Sequence, residues 1–164
     1  MAEQPREPGR IVVGVDGSES SKEALRWAVR QAELTRCTVD AVMAWQFPPY
    51  IGSLGWMPPQ DFEPEKVAGR ILTQVVQEIA GPEPPVRIRT EVEHGTAPDA
   101  LLGAARGAEL LVLGNRGHGG FTGALLGSVG QHCTQHAPCP VVVRDRAGDD
   151  DRAGGPWDKE GGEP

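Results

Sequence analysis

The stretch richest in possible chemistry lies in the last third of the chain: Gly114-Asn115-Arg116-Gly117, nine further residues, then Gly127-Ser128. Gly114 and Gly117 follow an apolar run, where glycine lets the backbone approach a ligand and take a positive φ. Successive N–H groups in such a turn form a nest for an anion. Gly127 and Ser128 stand where a helix should open, and Ser128-x-x-Gln131 has the form of a capping box. A helix start offers orphan N–H donors and about half a positive charge. Together these groups suit a di- or triphosphate. The Ser128 hydroxyl can meet a phosphate oxygen or cap the helix, but not both at once. The pattern is neither a Walker A motif, since no Gly-Lys-Ser/Thr follows, nor Gly-x-Gly-x-x-Gly. The competing reading is a glycine-rich loop that only turns the chain.

Asp16 is a second anchor, placed after an N-terminal apolar run. Its carboxylate can accept from a ribose hydroxyl or hold Mg²⁺ through water. Equally, it can cap the turn Asp16-Gly17-Ser18. Other reactive residues carry less. His132, Cys133, His136 and Cys139 fall within eight residues, with the two histidines on one helical face. Cys133 points about 100° away, and no standard zinc spacing is met, so packing is the expected role. Cys37 reads as a small buried hydrophobe. His118 has no carboxylate in the motif to orient it as a general base, so a surface or phosphate-touching role is expected.

Alternating strands and helices must position these residues. Ile11 to Val15 is a continuous apolar run, as in a strand buried on both faces. A helix follows, with Ser20-x-x-Glu23 as its capping box and Leu25, Ala28, Val29 and Ala32 as its stripe. Val39 to Trp45 is the second strand. Residues 46–64 form a Pro-rich loop, with Trp45, Phe47, Tyr50, Trp56 and Phe62 in or beside it. That loop can be a lid, a partner surface or sheet packing. A second helix runs from Val67 to Ile79 and stops at Gly81-Pro82. Val86 to Val92 alternates apolar and polar, which marks a strand at a sheet edge. Thr96-x-x-Asp99 caps a third helix through Leu101, Leu102 and Ala105. Leu110 to Leu113 is a buried strand, Ser128 to about His136 a fourth helix, and Cys139 to Val143 the last strand.

This order predicts an α/β fold: a Rossmann-like, doubly wound, five-stranded parallel sheet in one domain. The edge character of the third strand, with the first and fourth the most apolar, gives the order 3-2-1-4-5. The topological switch then lies between strands one and four, so a ligand is expected at Asp16 and at Gly114 to Gly117.

Composition sets the outer limits. The chain has 164 residues with a net charge of −7. Residues 147–164 carry Arg152 and Lys159 against Asp149, Asp150, Asp151, Asp158, Glu160 and Glu163, a net −4. The remainder is mildly acidic, so no nucleic acid partner is expected. There is no long apolar run, so no membrane span is expected. Without an apolar leader, a cytoplasmic address follows. Three cysteines in that setting argue against a disulfide framework. Residues 1–9 and 147–164 are expected to be mobile tails around a domain at 10–146.

Val12-Val13-Gly14-Val15-Asp16-Gly17-Ser18, the run Gly114 to Phe121, Leu126-Gly127-Ser128-Val129 and the closing run His136 to Val143 resemble the universal stress protein family. The likeness covers about residues 10–145, and the spacing G-x2-G-x9-G-(S/T) is that of its ATP-binding branch. One departure is Met43, where many relatives carry histidine. The resemblance implies a Rossmann-like fold and ATP as ligand, with or without Mg²⁺. It implies that Asp16 touches the adenosine part and that Ala44 meets adenine through its backbone. By the same likeness Gly114, Gly117, Gly127 and Ser128 hold ribose and phosphates, with Arg116, His118 and Val129 nearby. Relatives commonly dimerise through the last strand, here Val141, Val142 and Val143, and an exposed apolar edge strand does need cover. The expected function is a cytoplasmic ATP-binding stress-response or regulatory protein, a homodimer that signals nucleotide occupancy to a partner of unknown kind. The alternatives are a slow ATPase or adenylate-handling enzyme, and a nucleotide-free interaction module. An adenylating enzyme calls for a Ser-Gly-Gly loop after strand one or a His-x-Gly-His element, and Asp16 to Ser20 is a poor substitute.

Overall fold

A computed structural model describes residues 7–47, 55, 58–115 and 126–145 of the chain. Its elements run β1 (Arg10–Gly14), α1 (Glu19–Thr35), β2 (Thr38–Trp45), α2 (Pro64–Ala80), β3 (Ile88–His94), α3 (Ala97–Ala104), β4 (Leu110–Gly114), α4 (Ser128–His136) and β5 (Val141–Arg144). The strands form one parallel sheet in the order β3-β2-β1-β4-β5, as the apolar pattern predicts. Residues 1–6, 48–54, 56–57, 116–125 and 146–164 lie outside the described residues. These include the tails, apart from residues 7–9, and nearly half of the Pro-rich loop.

The pleat explains why β1 and β4 are apolar throughout. Ile11 and Val13 face α1 and α2, where they join Leu25, Ala28, Leu72 and Val75 in one buried cluster. Val12, Leu111 and Leu113 face the other way, onto Leu101, Ala105 and Cys133 of the α3 and α4 layer. A strand sandwiched between helices cannot alternate with polar residues. β3, paired only with β2, does alternate, and most of its residues are half-buried or exposed.

The buried charge of β2 was not legible in the pattern. Asp40 is fully buried, yet two arginine side chains hydrogen-bond to it. Arg10 Nη1 donates to Asp40 Oδ2 at 2.6 Å, while Arg89 Nε and Nη2 donate to Oδ1 and Oδ2 at 2.8 and 3.1 Å. Arg10 Nη2 also donates to the Arg106 carbonyl at 2.8 Å, just past the end of α3. One carboxylate thus ties β1, β2 and β3 together. Burial alone would raise the Asp40 pKa. Donation from Arg89 and Arg10, with their charges, outweighs it and holds the carboxyl below its ordinary range.

Several boundaries differ from the sequence reading. The N-cap of α1 is Ser18 rather than Ser20, with its side chain accepting from the Ser21 amide at 3.3 Å. Asp16 fixes Ser18 there, and Ser20 is buried beneath the end of β4. β3 begins at Ile88 rather than Val86, and β5 at Val141 rather than Cys139. Thr96 caps α3 as expected: it accepts from the Asp99 amide and donates to the Asp99 carboxylate at 2.6 Å.

Candidate functional site

The carboxyl ends of β1 and β4 open into a cavity of about 410 Å³ at the topological switch. Three kinds of wall meet in it. Val42, Met43 and Ala44 of β2, with Leu101, form an apolar side. Asp16 stands in the middle, after β1. Ser128, Val129 and Gly130 close the far side.

The apolar side has an open backbone. β1 pairs with β2 only as far as Gly14 opposite Val42, followed by a bond from the Val15 N–H to the Val42 carbonyl at 2.9 Å. β2 continues to Trp45. The main chain at Ala44 therefore has no β1 residue in register beside it. Trp45 packs edge-on against Phe47 and His94, with ring centroids 5.6 and 4.6 Å away, and steadies this end of the strand.

Asp16 is exposed, and its Oδ1 accepts from both the Ser18 amide (2.9 Å) and the Ser18 hydroxyl (2.5 Å). This is the capped turn, with Gly17 at φ 83° as the left-handed residue it requires. Asp16 also borders the cavity.

The far side differs from the expected arrangement in an instructive way. Gly127, not Ser128, is the N-cap of α4, at φ −69° and ψ 168° with no side-chain cap. Ser128 is the first helical residue. Its hydroxyl is not the cap, and it lies on the cavity wall. The Gly127 amide donates to the Asn115 carbonyl at 2.9 Å, and the Asn115 amide donates to the Arg144 carbonyl at 2.8 Å. The end of β4 and the start of α4 are thus stitched together. The first amide with an acceptor inside the helix is that of Gln131, bonded to the Gly127 carbonyl at 2.9 Å. Helix geometry leaves the amides of Ser128, Val129 and Gly130 without one, and they carry the positive end of the α4 dipole to the cavity.

Gly114 borders the cavity too, but its glycine has a different cause. Its φ is not positive. A Cβ there would lie 2.6 Å from Ser20 Oγ and 2.7 to 2.8 Å from the backbone of Ser20 and Ser21. The first turn of α1 packs directly on the end of β4, and only hydrogen fits. Among the sequence-predicted residues, the structure brings Asp16, Ala44, Gly114, Gly127, Ser128 and Val129 to one cavity. Arg116, Gly117 and His118 lie outside the described residues. The sequence reading expected a ligand along Gly114 to Gly117 but gave the Asn115 side chain no role; it is 6% exposed, borders the cavity, and has an Oδ1 with no hydrogen-bond partner among the described residues. As an unspecified position within the glycine pattern, it gave no signal.

Away from the cavity, His132 and His136 stack with centroids 4.6 Å apart on α4, and Cys133 turns inward to full burial. Burial pushes its thiol pKa up, as expected of a packing residue rather than a thiolate. Among the described residues, no helix is long and apolar enough to cross a membrane.

The chain belongs to the universal stress protein family, whose model matches residues 8–144. It is 33% identical over 141 residues to the universal stress protein Rv2623 of Mycobacterium tuberculosis, covering 81% of this chain and 46% of that one. The chain therefore spans about half the length of the curated relatives it matches. Among solved structures it resembles a universal stress protein in complex with cAMP, at a TM-score of 0.56 and 24% identity over 85% of this chain and 98% of the other. It also resembles a universal stress protein family protein from Arabidopsis thaliana with AMP bound, at a TM-score of 0.56 and 19% identity over 87% and 95% of the two chains. At these identities the structures speak for the shared fold.

Proposed function

We propose that the cavity binds an adenine nucleotide, ATP first among them, and that the protein signals its occupancy rather than turning the nucleotide over quickly. The observation that carries this reading is that the first three residues of α4, Ser128, Val129 and Gly130, whose amides have no acceptor within the helix, share one cavity with an exposed carboxylate and an apolar wall. The phosphates sit at the amide end, where a helix N-terminus receives an anion without further charge. Asp16 takes the sugar side, and the base lies along Val42, Met43 and Ala44, within reach of the β2 main chain. Arg116, Gly117 and His118 belong to the same reading as the other rim of the phosphate site, and Mg²⁺, where present, travels with the nucleotide's phosphates. The cAMP and AMP complexes of the structural neighbours support the ligand class. Occupancy changes the surface a partner meets. The edge strand β5, whose residues are only partly buried, is the proposed homodimer surface, through Val141, Val142 and Val143. We place the protein in the cytoplasm, with a folded unit at 10–146.

Thermal melts with ATP, AMP, cAMP and adenosine test this. At about 100 times its dissociation constant a native-state ligand adds about 2.7 kcal/mol. ATP is expected to raise the melting temperature and adenosine to do so far less. Equal shifts, or none, contradict the phosphate site.

A further inference from the structure

We propose that Asn115 is the residue that selects a ribonucleotide, its side-chain carbonyl accepting a hydrogen bond from a sugar hydroxyl of the bound ligand. The inference rests on the nucleotide reading of the cavity and adds a specificity residue to it. Three observations place the contact. Asn115 borders the cavity, next to the end of β4. It is 6% exposed, and Oδ1 has neither solvent contact nor a hydrogen-bond partner among the described residues. A buried acceptor left in that state is unfavourable, and almost all such groups in folded proteins find a donor. Its backbone is meanwhile fixed on both sides, by Gly127 and Arg144.

The sheet order says which part of the ligand supplies the donor. Going across the sheet, the apolar wall is on β2, Asp16 follows β1, and Asn115 follows β4, where its carbonyl holds the Gly127 amide at the start of α4. Strands are about 4.8 Å apart, so Asn115 stands roughly 10 Å from the β2 wall. A nucleotide with its base on β2 and its phosphates on α4 has its sugar over β1 and β4. Phosphate oxygens cannot donate, and the base is two strands away. A sugar hydroxyl is the donor that remains. The terminal torsion of asparagine is broad, so the amide can swing toward it without leaving its rotamer.

Calorimetric titration of the full chain with ATP, 2′-deoxyATP and 3′-deoxyATP tests the assignment. One deoxy analogue should bind wild type about 5–10-fold more weakly than ATP, the loss of one ordinary hydrogen bond. Asn115→Ala should bind ATP about as weakly as that and show no further preference for the hydroxyl. Asn115→Asp, which keeps an acceptor, should retain the preference. If Asn115→Ala does not fold, Asn115→Leu, of closer volume, takes its place. Equal binding of all three nucleotides to wild type overturns the inference and leaves the nucleotide site standing. So does an undiminished ribose preference in Asn115→Ala, or its loss in Asn115→Asp. Failure of wild type to bind ATP overturns the nucleotide reading itself, and this inference with it.

Discussion

Single residues in this chain serve reasons their types do not announce. Gly114 looks like a ligand-approach glycine, but the atoms around it belong to Ser20 and Ser21. Gly114→Ala should therefore cost about 2 kcal/mol through overpacking against backbone that cannot give way. A thermal melt of the ligand-free protein reads this directly. An unchanged melting temperature would mean that α1 does not dock on β4 as described. Gly127 is the contrasting case. Its φ of −69° suits any residue, so Gly127→Val should fold at a cost of no more than about 1 kcal/mol for a poorer N-cap, while losing ATP binding to crowding at the phosphate end. Asp40 supplies a pH prediction. Its folded pKa lies below the ordinary 3.8, so the ionised form stabilises the fold. That stabilisation is present above the unfolded pKa and is lost as pH falls through the folded one. At pH 7, Asp40→Asn should cost about 2 kcal/mol, the scale of hydrogen bonds to a charged group. Melts from pH 7 to 3 should show the gap between the two proteins closing below about pH 4. A constant gap contradicts the linkage. The burial of Asp40 and of Asn115 was not legible in the sequence. One polar residue inside an apolar strand, or inside a glycine pattern, looks the same whether buried or exposed.

At the scale of elements, the periodic signals held and the local ones slipped. Among the described residues, the five strands and α1 to α3 follow from apolar spacing, because burial on one or both faces leaves that pattern, while α4 was read from its start at Ser128. Caps were harder to place, since several hydroxyls compete near each helix start. Ser18 takes the α1 cap from Ser20 because Asp16 holds it at the turn, and Gly127 takes the α4 cap from Ser128 because the Asn115 carbonyl holds its amide. Arg36 ends α1 in the left-handed region at φ 58°, which an arginine adopts only under constraint. Arg36→Gly should thus stabilise the protein by up to about 1 kcal/mol despite the entropy of glycine, measured by chemical denaturation. A loss of stability would show that the arginine side chain matters more than its backbone.

For the molecule as a whole, parallel topology does the positioning. The order β3-β2-β1-β4-β5 turns the chain in opposite directions from β1 and from β4, and the gap so formed brings residues 16, 44 and 128 to one cavity. The strand order and a ligand site after β1 and β4 were readable from the sequence, since the apolar β1 and β4 had to be central and the alternating β3 peripheral, while Ala44 came from the family resemblance alone. What the cavity's amides do was not readable, because helix position decides which N–H groups have acceptors. The amide of Gly127 is held by the Asn115 carbonyl, and helix geometry gives those of the next three residues no acceptor inside the helix. The most direct test follows from this. Backbone amide resonances of ¹⁵N-labelled protein, titrated with ATP and separately with adenosine, report on each N–H. With ATP, the largest shifts are expected at Ser128, Val129 and Gly130, with a small response at those three to adenosine. Saturation by ATP that leaves these three amides unmoved would contradict the account.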